Sequence, residues 1–290
     1  MNERSKIPQK VFLFGVLVFG LLAIHAQAQV GLTIQLVPEE TAIVPGQSFR
    51  VGLFLQHEKG WHTYYQQPGI VGVPTSIVWS LPEGFKAGPL EYPEPETTHM
   101  FQIKAQGYER DVLLQTTLFA PNSLKAGQQI TLKGKVTWMC CGKTCHPGSK
   151  QVSLVLPVAA EATWNAQWHP VFEKERSAFV RTSSAWQASA IENGLNVTLT
   201  LKPADSTARP FDLEELPSLV FFTEDGWINS DQPQIATQQA DGSLTLRLTR
   251  TEVFLKKDQP KKLFGIVQRK GGWLKNGSLR SLKISPILIR

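Results

Sequence analysis

Cysteine is nearly missing from this chain. Three cysteines occur in 290 residues, and all lie at Cys140, Cys141 and Cys145. A scaffold stapled along its length by disulfides is therefore excluded. Long apolar runs are scarce too. After residue 28 none approaches the roughly 18 residues a membrane-spanning helix needs. Clustered positive charge is also lacking. Lys256-Lys257 and Lys261-Lys262 flank an Asp-Gln-Pro turn, which suits a solvated loop and not a nucleic-acid-binding face. No Ser-His-Asp arrangement, phosphate loop or paired-carboxylate motif stands out, and no cofactor is expected. Glu94, Glu96, Glu214 and Glu215 read as solvated loop charges.

What is present begins with an export pattern. Arg4, Lys6 and Lys10 precede the apolar run from Val11 to Ile24, and Ala26-Gln27-Ala28 offers small residues for cleavage. Residues 1–28 are expected to be a cleaved signal peptide, with no stable membrane insertion afterwards. Removing Glu3, Arg4, Lys6 and Lys10 with it lowers the formal charge from +6 to +4.

Period-two alternation dominates the rest. Leu32, Ile34 and Leu36 alternate with Thr33 and Gln35, and Val51, Leu53 and Leu55 follow suit. So do Leu132, Val136 and Trp138, then Val152, Leu154 and Leu156. Half-buried strands give this pattern, and turns such as Pro45-Gly46, Pro82-Glu-Gly84 and Pro147-Gly148 separate them. The alternation stops at Pro157 and returns at Leu195, Val197, Leu199 and Leu201. Between them a partly helical connector is expected, with Pro170 interrupting any continuous helix. The fold class is all-β: two antiparallel β-sandwiches at 29–158 and 182–290, joined by 159–181. Trp79 and Trp138 read as core. Trp227 and Trp273, beside glycine turns, are expected at the surface.

Strand parity gives adjacent cysteines different tasks. In a straight strand Val136, Trp138 and Cys140 share the apolar face, so Cys140 is a small buried hydrophobe. Cys141 faces outward at the strand's end. Extended, Cys141 and Cys145 would be about 13 Å apart, so a bridge requires a turn, for which Gly142 permits a positive φ. Closing so short a loop stabilises by only about 2 kcal/mol, against 4–5 for a hundred residues. Lys143 and His146 would favour a thiolate, the form active in exchange. A reversible redox pair and a structural hairpin bridge both stay open. So does a Cu(I) or zinc site drawing on Met139, Cys140, Cys141, Cys145 and His146, although parity separates Cys140 from Cys141. His62 and His99 read as ordinary strand or loop histidines. Trp61, Tyr64 and Tyr65 read as packing residues before a partner groove.

A longer pattern surrounds the cluster: Gly60-Trp-His-Thr-Tyr-Tyr-Gln-Gln-Pro-Gly69, Gly72-Val-Pro74, Trp79-Ser-Leu-Pro-Glu-Gly84, Tyr92-Pro-Glu-Pro95, Gly107-Tyr108-Glu109, and Trp138 through Pro147. It resembles the N-terminal periplasmic domain of the disulfide reductase D (DsbD) family, in its suppressor-of-copper-sensitivity B-like branch. Phe221-Phe222-Thr-Glu-Asp-Gly226 extends the likeness more weakly into the second domain. The resemblance implies an immunoglobulin-like fold, a periplasmic location and a cysteine pair that exchanges electrons with a thioredoxin-like partner. It assigns the pair to Cys141 and Cys145, with the mixed disulfide at Cys145; Cys140 matches no family cysteine. A cap loop is expected near residues 93–105, including His99, Met100 and Phe101. The membrane and thioredoxin-like domains of full-length members are not in this sequence, so either another protein is expected to reduce it or the fold serves something else.

Overall fold

The computed structural model describes residues 30–252 and 259–290; the export signal and Lys256-Lys257 lie outside them. Ten strands come first: β1 (Leu32–Pro38), β2 (Ser48–His57), β3 (Thr63–Tyr64), β4 (Ser76–Ser80), β5 (Lys86–Glu91), β6 (Glu96–Met100), β7 (Ile103–Tyr108), β8 (Val112–Phe119), β9 (Gln129–Cys141) and β10 (Cys145–Pro157). One sheet runs β1-β2-β8-β5 and faces a second, β10-β9-β4. A small sheet, β3-β7-β6, packs against the end of β9. The alternating residues fill the space between the two main sheets. Leu32, Ile34, Val51, Leu53 and Leu55 meet Leu132, Val136, Trp138 and Val152 there, all buried. Trp138 lies over the β10 backbone at Gly148, where a Cβ would come within 2.4 Å of the indole.

The connector ends in helix α1 (His169–Ser177). No helix runs through Pro170, as expected: α1 begins there, with the proline in its first turn, where the backbone N–H it lacks has no partner to lose. Phe172 is fully buried with Val37 and Leu113, on the outer face of the first sheet. Glu175 receives Arg110 at 2.8 Å.

Eight strands follow: β11 (Trp186–Asn193), β12 (Asn196–Pro203), β13 (Val220–Thr223), β14 (Ile235–Gln238), β15 (Leu244–Thr249), β16 (Gly265–Gln268), β17 (Ser281–Ile284) and β18 (Leu288–Ile289). Sheet β14-β15-β12-β11-β18 pairs with sheet β13-β16-β17. Val197, Leu199, Leu201, Leu244, Leu246 and Leu248 fill this second core. Leu195, expected in the strand, falls in the preceding turn and is exposed.

Two surface expectations are overturned here. Trp227 and Trp273 are 3% and 0% exposed. The turn at Gly272 folds the chain back, so that the Trp273 indole donates inward to the Val267 carbonyl at 2.9 Å. Glu94 is also buried. It accepts from Arg280 and, at 2.6 Å, from the Ser281 hydroxyl of the second sandwich. Glu215 holds Arg209 and the fully buried Arg269. Glu96 pairs with Arg110 at 2.9 Å, and only Glu214 stays solvated as expected. The two sandwiches thus share a packed seam: Phe222 and Ile266 from β13 and β16 belong to the first core. Among the described residues no helix is long and apolar enough to cross a membrane.

Phe172 locks the connector to the first sheet, so Phe172→Ala should destabilise the chain by about 3–5 kcal/mol, as large cavities in cores do. Urea unfolding followed by tryptophan fluorescence measures this; a loss below about 1 kcal/mol would contradict the assigned packing.

Candidate functional site

The hairpin β9–β10 sets the site. Its register pairs Cys145 with Cys141, His146 with Cys140 and Gly148 with Trp138. Three residues, 142–144, reverse the chain, and the Gly142 N–H donates to the Thr144 carbonyl at 2.9 Å. The two cysteines come to a Cα separation of 4.1 Å and are joined by a disulfide. Gly142 does not reach this turn by a positive φ, as expected from sequence; it is absent from the left-handed glycines. Close approach explains the residue instead. A Cβ there would sit 3.0 Å from the Gly60 carbonyl and 3.1 Å from the Trp61 ring.

Parity holds for both faces, with one correction. Cys140 is buried in the sandwich core, on the Val136 and Trp138 side. Burial pushes its thiol up to about 12, so it stays protonated and inert. Cys141 does face the opposite way, yet it is not at the surface. It is fully buried against Tyr64 and Ala105, with Val71, Met139 and Cys145 packed around them. Strands β3 and β7 cover it, and these come from sequence far from the hairpin. Cys141 also exchanges two backbone hydrogen bonds with His62, at 2.9 and 3.0 Å, which pins its main chain. Cys145 is only half-buried. One end of the bridge is sealed and the other is partly exposed.

The rim on the open side is made of Trp61, His146, Lys143 and Thr144. The Trp61 and His146 rings lie 5.5 Å apart, and the Thr144 hydroxyl is 2.8 Å from His146 Nε2. Lys143 is exposed beside them. Tyr64 and Tyr65 are buried, as packing residues should be, so neither floors a groove. His62 is buried and shares a hydrogen bond with the Tyr64 hydroxyl at 3.2 Å. Burial, with a smaller contribution from His99, holds the His62 imidazole down to about 4, and burial raises the Tyr64 phenol to about 12. His99 is exposed on β6. The segment expected to cap the pair is the β6–β7 hairpin. Ala105 of β7 is its contact with the bridge, while Phe101 at the tip is exposed.

Residues 33–157 match the family model described as thiol:disulfide interchange protein DsbD, N-terminal. Over these residues the chain is similar to the DsbD N-terminal family. The two-sandwich fold is similar to the N-terminal periplasmic domain of ScsB from Proteus mirabilis. The TM-score is 0.56 at 19% identity, over 84% of this chain and 90% of that one. At that identity the likeness speaks for the fold, an immunoglobulin-like sandwich arrangement. A protein of unknown function from Porphyromonas gingivalis W83 matches at TM-score 0.21 and 11% identity, over 88% and 99% of the two chains. The BcpA*(D312A) major pilin subunit of Bacillus cereus matches at 0.26 and 7%, over 89% and 64%. Scores that low carry no argument. No curated protein matches the chain.

In the oxidised hairpin the three sulfurs do not converge on one ion. Cys140 lies in the sandwich core, across the sheet from the disulfide, and the bridge occupies both other sulfurs. Among the described residues, Glu39, His169 and Glu173 could converge on a cation. The Arg176 guanidinium already bonds both carboxylates, so the positive charge is in place.

His62 sets a pH dependence. Its folded pKa, near 4, lies below the unfolded value near 6.5. Protons therefore favour the unfolded chain, and stability should fall as pH drops from about 6.5 through about 4. His62→Gln keeps a hydrogen-bonding group for Tyr64 and should lessen that loss, read from urea midpoints across the window, with the remainder set by His57, whose imidazole is also held down to about 4 by burial. An unchanged slope would show that other groups carry it.

Proposed function

We propose that this is a periplasmic thiol-disulfide interchange protein whose Cys141–Cys145 pair exchanges electrons with a thioredoxin-like protein. The observation that carries the reading is the asymmetry of the bridge: Cys141 sealed, Cys145 partly exposed, both at one turn. The similarity of residues 33–157 to the DsbD N-terminal family supports it. The likeness to the ScsB domain supports assignment to that branch, a periplasmic setting and a domain division at 29–158, 159–181 and 182–290. The apolar leader over residues 1–28 supports export.

Exchange is an in-line displacement, so the entering sulfur must approach opposite the leaving one. An attacking thiolate reaches Cys145 from solvent. The partner's sulfur bonds to Cys145 Sγ, the bridge breaks, and Cys141 leaves as a thiolate that takes up a proton. A second partner thiol loses its proton and attacks the partner's own sulfur in the mixed disulfide. Cys145 is then released and protonated. Two electrons and two protons have passed to this domain, and the partner holds a disulfide. The reverse sequence passes them on. No cofactor enters. The exposed Lys143 ammonium favours the anionic sulfur of the attacking thiolate.

Cys145→Ser should abolish exchange with a reduced thioredoxin-like protein. Cys141→Ser, given the oxidised thioredoxin-like protein, should instead trap a mixed disulfide as Cys145 attacks the partner's disulfide and releases one partner thiol, visible as a covalent adduct on a non-reducing gel. Exchange that survives in Cys145→Ser would sink the assignment. The potential of the pair separates relay from staple. A relay should equilibrate in the range of the thioredoxin-like proteins, whereas a value below about −300 mV marks a permanent bridge.

A further inference from the structure

Two segments close the cluster around the disulfide: β7 through Ala105, which is buried with Cys141 and Tyr64, and the loop at residues 66–72 through Val71, which packs against that cluster. Both are held from outside by the second sandwich. Lys104 and Gln106 flank Ala105. The Lys104 N–H donates to the Asp231 carboxylate at 2.9 Å, and its carbonyl accepts from the Ser230 hydroxyl at 3.0 Å. Gln106 is 2% exposed and bonds the Thr223 backbone in both directions, donating at 2.9 Å and accepting at 2.8 Å. On the loop, the Ile70 N–H donates to the same Ser230 hydroxyl at 3.2 Å. Next to it Gly69 admits the serine so closely that a Cβ would fall 2.2 Å from its oxygen.

We propose that the second sandwich is a latch for the lid of the first. Ser230, between the two covering segments, accepts from one and donates to the other, so a single hydroxyl stitches them shut over Cys141. Asp231 and Thr223 fasten the β7 side. A hydroxyl used in both directions, beside a charge-assisted bond, holds more than either alone. The lid moves off the bridge only when these bonds part. The second sandwich thereby governs how readily a thiol reaches a sulfur it does not itself touch. The partner's approach is the setting for this device, but the latch is tested without any partner.

The test uses the full chain, reduced and desalted, with iodoacetamide labelling at Cys141 and at Cys145 followed separately by peptide mass. The double variant Ser230→Ala, Asp231→Ala should be labelled at Cys141 about tenfold faster, with the rate at Cys145 unaltered, the effect of losing a charge-assisted hydrogen bond over the covered sulfur. Arg280→Ala breaks the seam at Glu94, away from the lid, and should leave the rate unaltered. An unchanged rate in the double variant, or equal acceleration by Arg280→Ala, overturns the latch. Amide exchange on the unaltered chain gives a check that needs no variant. The Lys104 and Ile70 N–H groups should be protected like those of β2 and β8; rapid exchange at both would overturn the proposal. Because iodoacetamide needs no thioredoxin-like protein, failure of the latch and failure of the exchange reading are separate results.

Discussion

The reversal of the chain within three residues between Cys141 and Cys145 is the constraint on which the site depends. It makes the two residues direct cross-strand partners, and such partners lie close enough for a disulfide. The thirteen-residue strands on either side carry that register through the hairpin. A slip by one residue would turn every side chain to the other face. Trp138 over Gly148, together with the sandwich core behind Val136 and Cys140, opposes any slip. The same packing that stabilises the first sandwich therefore aims the cysteines.

Burial then separates the roles of the three thiols. Cys140 is a core residue whose thiol, pushed up by desolvation, has no chemistry to perform. Cys141 is sealed by Tyr64 and Ala105, and Cys145 is left half open. Reactivity at a disulfide depends on which sulfur an attacker can reach as much as on thiolate character. Here the answer comes from a lid made by β3, β7 and the loop at residues 66–72. The second sandwich touches this lid at Ser230, Asp231 and Thr223, and it adds Phe222 and Ile266 to the first core. A second domain packed so tightly is part of the site's environment.

Much of the fold was legible because alternation is a local property. Leu32, Ile34 and Leu36, or Leu244, Leu246 and Leu248, announce a half-buried strand without reference to any neighbour. The turn between the cysteines was legible for a similar reason, since an extended chain would hold them too far apart. Cys140 could be placed in the core by counting along one strand. The misreadings share a cause. Trp227, Trp273 and Glu94 stand beside turns and prolines, which argue for the surface, yet distant segments fold over them. Gly142 suggested a left-handed turn, whereas it makes room for Gly60 and Trp61, some eighty residues earlier.

By itself the sequence determined that this chain is all-β, that its thiols gather at one bend, and that adjacent cysteines point to opposite sides of a strand. These follow from backbone period and chain length, which act between near neighbours. Only the tertiary structure decided which sulfur is covered, what covers it and what holds the cover down. Those depend on contacts between residues more than a hundred positions apart, such as Lys104 with Asp231, and no local pattern encodes such a meeting.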